Sequence, residues 1–346
     1  MKVLGICGFG YTGSGAFLDL FQEFAGVDVC ADPEFSIAYT PDGLEDLEYH
    51  LMKAPSRYMS SDVALWRFLK WVEGRNNRGS GLRHATGNQF RHLSLAYVHA
   101  ITQLTWKGYW GWDFSSSGFW RKNLVFRILN SRIHPFLSKV LCMNVDLPPI
   151  RDMRMSICPE HFYEESRKYV SSLIRAMGLG HNETVVLNQP FAADHPTKSF
   201  PFFENPTALI VDRDPRDIYV LMKRVALEMG RFVPTAHVKD FVEYYRILHV
   251  NQEDTTKRRD VIHCRFEDLV YEYDSTLAFI RERIPLGAHV RPGSCFRPEV
   301  SINNTQLFLR YPQFADDCAV IARELPEWLY PFHEHAHKPN GRFQAF

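Results

Sequence analysis

The chain has 346 residues, of which 45% are hydrophobic and 23% charged, as in an ordinary globular protein. Lys plus Arg and Asp plus Glu both number 40, so the formal net charge is zero and no global field favours nucleic acid or an acidic membrane. The seven cysteines are scattered without a C-x-x-C pair, which argues against a disulfide frame and a zinc site. Because the start leaves no room for a signal peptide and no apolar run reaches membrane-spanning length, we expect a cytoplasmic protein without a membrane span.

Strand and helix patterns alternate along the chain. Continuous apolar runs are typical of parallel strands that are covered on both faces, and they span residues 3–7, 27–30, 184–187, 208–211 and 261–264. Helical patterns follow at 16–24, 61–73, 159–177 and 238–252. Ser61 is the expected N-cap of the second helix. The alternation predicts one α/β domain over residues 1–346 with a doubly wound parallel sheet, and it is compatible with a homo-oligomer.

The first strand leads into a glycine-rich turn, residues 8–16 with the sequence G-F-G-Y-T-G-S-G-A, and then into a helix. Such a turn directs free backbone amides and the positive end of a helix dipole towards a phosphate. Gly8, Gly10 and Gly13 fit the dinucleotide fingerprint G-x-G-x-x-G, with Asp32 as the ribose-binding carboxylate of an NAD-dependent oxidoreductase. A nucleoside-triphosphate loop fits less well, because Ser14 stands where the phosphate-binding Lys is required.

A third interpretation uses the later part of the same turn. This part resembles the 5'-phosphosulfate loop of sulfotransferases, and the resemblance implies a cofactor contact from Gly10, Tyr11, Thr12, Gly13, Ser14, Gly15 and Ala16. In that family the position of Tyr11 usually carries Lys or Arg. A phenol donates one hydrogen bond but does not neutralise charge at pH 7.

A second motif favours the third interpretation. The apolar run 208–211 leads into residues 212–217, D-R-D-P-R-D, which closely resemble the 3'-phosphate-binding motif of sulfotransferases that use 3'-phosphoadenosine 5'-phosphosulfate (PAPS). Arg213 emerges at the carboxyl end of the strand, where a fork of N–H donors can grip a phosphate, and Pro215 begins the next helix. Residues 261–269 resemble a further element of the same family, R-Y-E-D-L, for which we expect a structural role.

The resemblance implies a P-loop-like strand, loop and helix that bind PAPS. The implied reaction moves a sulfuryl group to a hydroxyl or amine by in-line transfer, for which loop amides can suffice without a metal. The family places a Ser eight residues after the motif arginine, where this chain has Leu221, and a basic loop over the nucleotide near residues 296–304. The further cofactor contacts that we predict on this basis are Leu221, Arg297, Ser301 and Asn303.

Residues 41–155 separate the second sheet strand from the third and are predicted to be a mostly helical insertion over the carboxyl edge of the sheet. Its tryptophans and basic residues favour a carbohydrate-like acceptor. A hydroxyl acceptor needs a base, for which we predict Glu34, since several Golgi sulfotransferases hold a glutamate after that strand; His84 is the alternative. An oxidoreductase and a noncatalytic nucleotide-binding homologue remain the competing interpretations.

Overall fold

The structure is a computed structural model that describes residues 1–55, 58–74, 79–108, 110, 136, 151–229 and 232–334. Its strands are β1 (Lys2–Gly8), β2 (Val27–Cys30), β3 (Leu104–Gly108), β4 (Arg151–Met155), β5 (Thr184–Asn188), β6 (Pro206–Asp212) and β7 (Val261–Arg265). Five of them form a parallel sheet in the order β2-β5-β1-β6-β7. All five predicted sheet strands are present, so the α/β class and the parallel sheet are confirmed.

The helices follow the predicted alternation. They are α1 (Ser14–Phe21), α2 (Leu44–Glu48), α3 (Tyr58–Glu73), α4 (Gly79–Thr86), α5 (Gln89–Ile101), α6 (Phe162–Ala176), α7 (Pro215–Met229), α8 (Val238–Val250), α9 (Phe266–Tyr271), α10 (Tyr273–Arg283), α11 (Pro298–Ser301), α12 (Leu307–Arg310) and α13 (Ala315–Glu324). In the part of the chain that the structure describes, no helix is long and apolar enough to cross a membrane.

Helices cover both faces of the sheet, because successive side chains of a strand point to opposite faces. Leu4 and Ile6 of β1 pack in one buried cluster with Phe17 of α1. Val3 and Cys7 of the same strand pack in the other cluster, which includes residues of α3, α5 and α6. Burial of a large apolar side chain contributes about 2 kcal/mol, so these two clusters hold α1 and the glycine turn against the centre of the sheet.

The insertion differs from the prediction in two respects. Beside helices α2 to α5, it contains β3 and β4, which pair in an antiparallel ribbon. Ser61 is not an N-cap: α3 already begins at Tyr58, and the Ser61 hydroxyl accepts a hydrogen bond from the Ser156 amide at 3.1 Å. The buried carboxylate of Asp62 accepts hydrogen bonds from the guanidinium of Arg151 at 2.6 Å and from the Arg154 amide at 2.7 Å. These bonds fasten the ribbon to α3.

Candidate functional site

The glycine turn lies at the carboxyl end of β1, the central strand of the sheet. Gly10, Tyr11 and Gly13 have φ angles of 89°, 59° and 91°, all in the left-handed region that favours glycine. Gly13 is the N-cap of α1 and has no side-chain cap. The amides of Gly13, Ser14 and Gly15 belong to the first turn of the helix and therefore have no partner within it. This geometry is that of a loop able to bind an anion at a helix N-terminus.

Two glycines of the turn are required by close packing. A Cβ on Gly13 would lie 2.6 Å from the ring of Phe266, the first residue of α9. A Cβ on Gly8 would overlap the hydroxyl of Thr12. Gly15 is different, because no described heavy atom lies within 4 Å of its Cβ position. The turn therefore wraps tightly around Thr12 and Phe266 and opens at Gly15.

Two polar side chains support the turn from inside the fold. Thr12 is 1% exposed, and its hydroxyl oxygen has no hydrogen-bond partner among the described residues. Gln189, directly after β5, accepts a hydrogen bond from the Gly8 amide through Oε1 at 3.1 Å. A buried hydroxyl without a partner is costly to the folded state. The hydroxyl of Thr12 is therefore an unused hydrogen-bonding group beside the turn.

Arg213 is fully buried and ties the turn to the C-terminal part of the chain. Its Nη1 donates to the carbonyl oxygen of Tyr11 at 3.1 Å, and its Nη2 donates to the carbonyl oxygen of Asn304. The guanidinium lies 4.9 Å from the ring centroid of Phe266. Nε has no partner among the described residues. Two of its donors thus bind backbone carbonyl oxygens. The predicted contact with a 3'-phosphate stays a prediction, and it rests on Nε and on the positive charge.

Acidic side chains surround Arg213. Asp214 is the N-cap of α7: its Oδ1 accepts a hydrogen bond from the amide of Arg216 at 2.9 Å, and its Oδ2 accepts one from the guanidinium at 2.6 Å. Oε1 of Glu267 accepts a hydrogen bond from the Asp214 amide at 2.8 Å. Burial raises the pKa of Glu267 to about 8 and that of Asp217 to about 7, against the lowering effect of the nearby arginines. The second and third motifs therefore form one buried polar cluster.

The Tyr11 side chain packs against apolar neighbours. Its ring stacks on Phe232 at a centroid distance of 5.7 Å. It also packs against the buried apolar cluster that contains Leu221, which is 5% exposed. The Tyr11 hydroxyl is buried without a described partner, and burial raises its pKa, so the phenol is neutral. Tyr11 and Leu221, whose positions carry polar residues in the resembled family, thus belong here to one apolar packing cluster.

Of the C-terminal segment that contains the predicted residues, Asn304 lies beside Arg213, because its carbonyl oxygen accepts a hydrogen bond from Nη2. Arg297 is the exposed N-cap of α11, and Ser301, at the end of that helix, is 8% exposed. The carbonyl oxygen of Asn303 accepts a hydrogen bond from Arg310 at 2.9 Å. The structure therefore brings the end of this segment, Arg213 and the glycine turn together, whereas the amide of Phe296, directly before Arg297, donates to Glu23 beyond the end of α1 at 2.9 Å.

The two predicted bases lie on the other side of the site, near the end of β2. Glu34 and His84 are both exposed. They belong to neighbouring segments, since a Cβ on Gly81 of α4 would lie 2.6 Å from the Cβ of Pro33. His84 follows Gly81 by three residues and so lies on the same side of α4. The roles of both residues stay predictions.

The strand order bears on the dinucleotide interpretation. In the dinucleotide-binding fold, the strand that carries the ribose-binding carboxylate is adjacent to the first strand. Here β5 lies between β1 and β2, and Asp32 follows β2. Neighbouring strands are about 4.8 Å apart, so Asp32 is set back from the turn by a whole strand, which disfavours the NAD-binding interpretation.

Comparisons of the chain with protein-family models, with curated proteins and with solved structures found no match. Within the described ranges, no group of three or more His, Cys, Asp or Glu side chains could hold a metal ion. Of the predicted acceptor tryptophans, Trp112 and Trp120 lie outside the described residues. The site is therefore interpreted from its own geometry.

Sequence reasoning missed several residues of the site. Gln189 supports the loop from the end of β5, and Phe232 covers Gly10 and Tyr11. Phe266 lies in the segment 261–269, for which a structural role was expected, but its close contact with Gly13 was not predicted. The position of Gln189 and Phe266 directly after sheet strands was a usable signal, because the carboxyl ends of parallel strands meet at one edge. Phe232 had no such signal, since it lies after α7 and reaches the loop only through the tertiary fold.

Proposed function

We propose that the chain is a PAPS-dependent sulfotransferase that binds the 5'-phosphosulfate of its donor at the turn from Gly10 to Ala16. The observation that carries the proposal is the turn itself. It combines left-handed glycines, the free amides of a helix N-terminus and the buried, unpartnered hydroxyl of Thr12. Backbone amides and a hydroxyl are the donors that a sulfate or phosphate oxygen accepts from.

When bound, PAPS supplies the sulfuryl group that is transferred. The loop amides hold the phosphosulfate and stabilise the charge that develops on its oxygens. Arg213 keeps the loop in its binding conformation and contributes a positive charge behind it. Arg297 is exposed on the adjoining segment, where a flexible cation can reach the 3'-phosphate of the donor. The insertion over the carboxyl edge contributes the acceptor surface, for which we favour a carbohydrate hydroxyl.

A second candidate is a nucleotide-binding protein without transferase activity. The packing of Tyr11 with Leu221 and its apolar neighbours favours it, because these two positions offer no charge and no short hydroxyl to the donor. In this case adenosine 3',5'-bisphosphate binds but no sulfate is transferred. The variant Tyr11→Lys distinguishes the two candidates, since it restores a cation at the loop.

Transfer of radiolabelled sulfate from PAPS to a panel of oligosaccharides tests the proposal. We expect transfer by the wild type and by the surface variant Glu282→Gln, and a loss of about tenfold or more in Gly13→Ala, whose Cβ would displace the loop amides. Binding of adenosine 3',5'-bisphosphate without transfer, together with transfer by Tyr11→Lys, would support the second candidate. If the wild type neither binds adenosine 3',5'-bisphosphate nor transfers sulfate, both candidates are contradicted.

A further inference from the structure

An aspartate and a histidine that the predicted site does not use lie beside the glycine turn. Asp212 is the last residue of β6, which pairs directly with β1, and the register aligns Val211 with Gly8. The Asp212 side chain is therefore at the carboxyl edge of the sheet, next to the loop. It is 29% exposed, whereas the His249 side chain behind it is 3% exposed.

The carboxylate of Asp212 has one oxygen that is occupied and one that is available. Oδ1 accepts hydrogen bonds from the Arg213 amide at 2.8 Å and from the Tyr245 hydroxyl at 3.3 Å. Oδ2 lies 3.5 Å from Nε2 of His249, which is longer than an ordinary hydrogen bond. Oδ2 thus faces the histidine and accepts no hydrogen bond from the described residues.

His249 is held as a proton acceptor. Its Nδ1 lies 2.9 Å from the carbonyl oxygen of Tyr245, and because a carbonyl only accepts, Nδ1 carries the proton. In the neutral ring, Nε2 then carries a lone pair, and this atom has no hydrogen-bond partner in the described part of the chain. The ring is stacked on Tyr245 at 3.9 Å and lies 4.8 Å from the ring of Phe9. Since Phe9 directly precedes the proposed donor site, Gly10 to Ala16, the histidine packs against the start of the glycine turn.

The surroundings keep the Asp212 carboxylate ionised. Burial raises the pKa of Asp212, whereas a protonated His249, the Arg213 amide and the charge of Arg265 lower it, so the carboxylate is ionised in the ion pair that follows the transfer. The titratable and charged groups around the carboxylate come from α8, β7 and the start of the R-D-P-R-D motif, and they are His249, Tyr245, Arg265, His263 and Arg213. An ionised carboxylate with a histidine behind it can take up a proton and pass it on.

We propose that Asp212 accepts the proton of the acceptor hydroxyl and transfers it to His249. This inference rests on the proposed function. In the step, the hydroxyl oxygen forms its bond to sulfur while the bond between sulfur and the 5'-phosphate oxygen breaks, and the electron pair leaves with the phosphate. The proton of the hydroxyl passes to Oδ2 of Asp212 and then to Nε2 of His249. The products of the transfer are an imidazolium and a carboxylate, which form an ion pair.

The topology favours Asp212 over Glu34 for this role. Strand β6 pairs directly with β1, whereas β5 separates β1 from β2, the strand that precedes Glu34. With a strand spacing of about 4.8 Å, the end of β6 is about 5 Å from the end of β1, and the end of β2 is about 10 Å away. A base must be within hydrogen-bond reach of the proton that it removes.

The first test needs no turnover. Asp212→Asn keeps an oxygen that accepts from Arg213 and Tyr245 and removes the negative charge at Oδ2. We expect the nitrogen resonance of His249 Nε2 to shift in this variant and to stay in place in Glu282→Gln, a change at an exposed surface carboxylate. An unchanged Nε2 resonance in Asp212→Asn would show that the two groups are not coupled and would overturn the proposal.

The second test compares two acceptors of different acidity. A sugar hydroxyl needs a base to remove its proton. p-Nitrophenol is largely ionised at mildly alkaline pH and therefore needs no base. We expect Asp212→Asn to lower the rate of transfer to a sugar acceptor by about 100-fold and to leave the rate with p-nitrophenol nearly unchanged. His249→Asn, whose amide can still donate to the Tyr245 carbonyl, should give the same pattern with a smaller loss.

The outcomes separate the two proposals. Equal losses on both acceptors would indicate a structural role for Asp212 and would overturn the inference while the sulfotransferase proposal stands. A selective loss with the sugar in Glu34→Gln in place of Asp212→Asn would also overturn it. If the wild type transfers sulfate to neither acceptor, the proposed function fails, and the catalytic role of Asp212 fails with it.

Discussion

Nη1 of Arg213 donates a hydrogen bond to the carbonyl oxygen of Tyr11 at 3.1 Å and so joins the R-D-P-R-D motif to the glycine turn. The two motifs are about 200 residues apart in the sequence, yet one buried guanidinium is shared between them. Because Tyr11 has a φ of 59°, an unfavourable conformation for a residue with a side chain, the loop needs this support. Arg213 is therefore a determinant of loop shape as well as a predicted ligand.

Removal of Arg213 should destabilise the protein. In Arg213→Ala the carbonyl oxygens of Tyr11 and Asn304 lose a buried donor, and we expect the free energy of unfolding to fall by about 2–5 kcal/mol. Urea denaturation measures the change. Arg323→Ala is the matched control, since that side chain is 69% exposed and its ion pair with Glu324 lies at the surface, where such pairs contribute little. Equal effects of the two substitutions would contradict the role of Arg213.

The two glycines at the start of α1 should respond in opposite ways to alanine. In Gly13→Ala the new Cβ meets the Phe266 ring at 2.6 Å in a backbone with a φ of 91°, so we expect a loss of about 2 kcal/mol or more. Gly15→Ala has open space and a helical backbone, so stability should be unchanged or higher by up to about 1 kcal/mol. Thermal unfolding of both variants checks the contrast, which disappears if the loop has another conformation.

The hydroxyl of Tyr11 should be dispensable. It is buried without a described partner, and a desolvated hydroxyl destabilises the folded state. We therefore expect Tyr11→Phe to raise the free energy of unfolding by about 1 kcal/mol and to retain ligand binding, because the stack on Phe232 remains. A clear loss of stability in chemical denaturation would indicate that the hydroxyl has a partner that this account omits.

Glu267 should make stability depend on pH. Burial raises its pKa from 4.5 to about 8, so the folded protein binds this proton more tightly than the unfolded chain. Its contribution is therefore fully present below about pH 4.5 and is lost as the pH rises towards 8, with a slope of at most about 1.4 kcal/mol per pH unit. Glu267→Gln keeps an acceptor for the Asp214 amide and should remove this slope. Urea denaturation of both proteins across that range is the measurement, and parallel curves would contradict the assignment.

The sheet could be predicted because its strands have a strong local signal. Buried parallel strands appear as continuous apolar runs, and all five were found within one or two residues of their ends. The ribbon of β3 and β4 could not be predicted in this way. Both strands are largely half-exposed or exposed, and Lys107, Arg151 and Arg154 interrupt their apolar pattern. Asp62 of α3 binds β4 across more than 80 residues of sequence, a contact that has no local signal.

The site was only partly predictable for a similar reason. The glycine turn and Arg213 have recognisable local patterns, and the structure places them together. The sharing of that guanidinium with Asn304 and the pairing of Asp212 with His249 have no local signature, because their partners come from distant elements. The strand order, which sets Asp32 back from the loop, also follows only from the complete fold.

Calorimetric titration of the wild type with adenosine 3',5'-bisphosphate, NADH and ATP is the most direct test of the proposed donor site. We predict that the bisphosphate binds at least about tenfold more tightly than either alternative, with Glu282→Gln unchanged and both Gly13→Ala and Arg297→Ala weakened. Because a ligand of the native state raises its stability, the bisphosphate should also raise the Tm. Binding of NADH or ATP with no measurable binding of the bisphosphate would contradict the account.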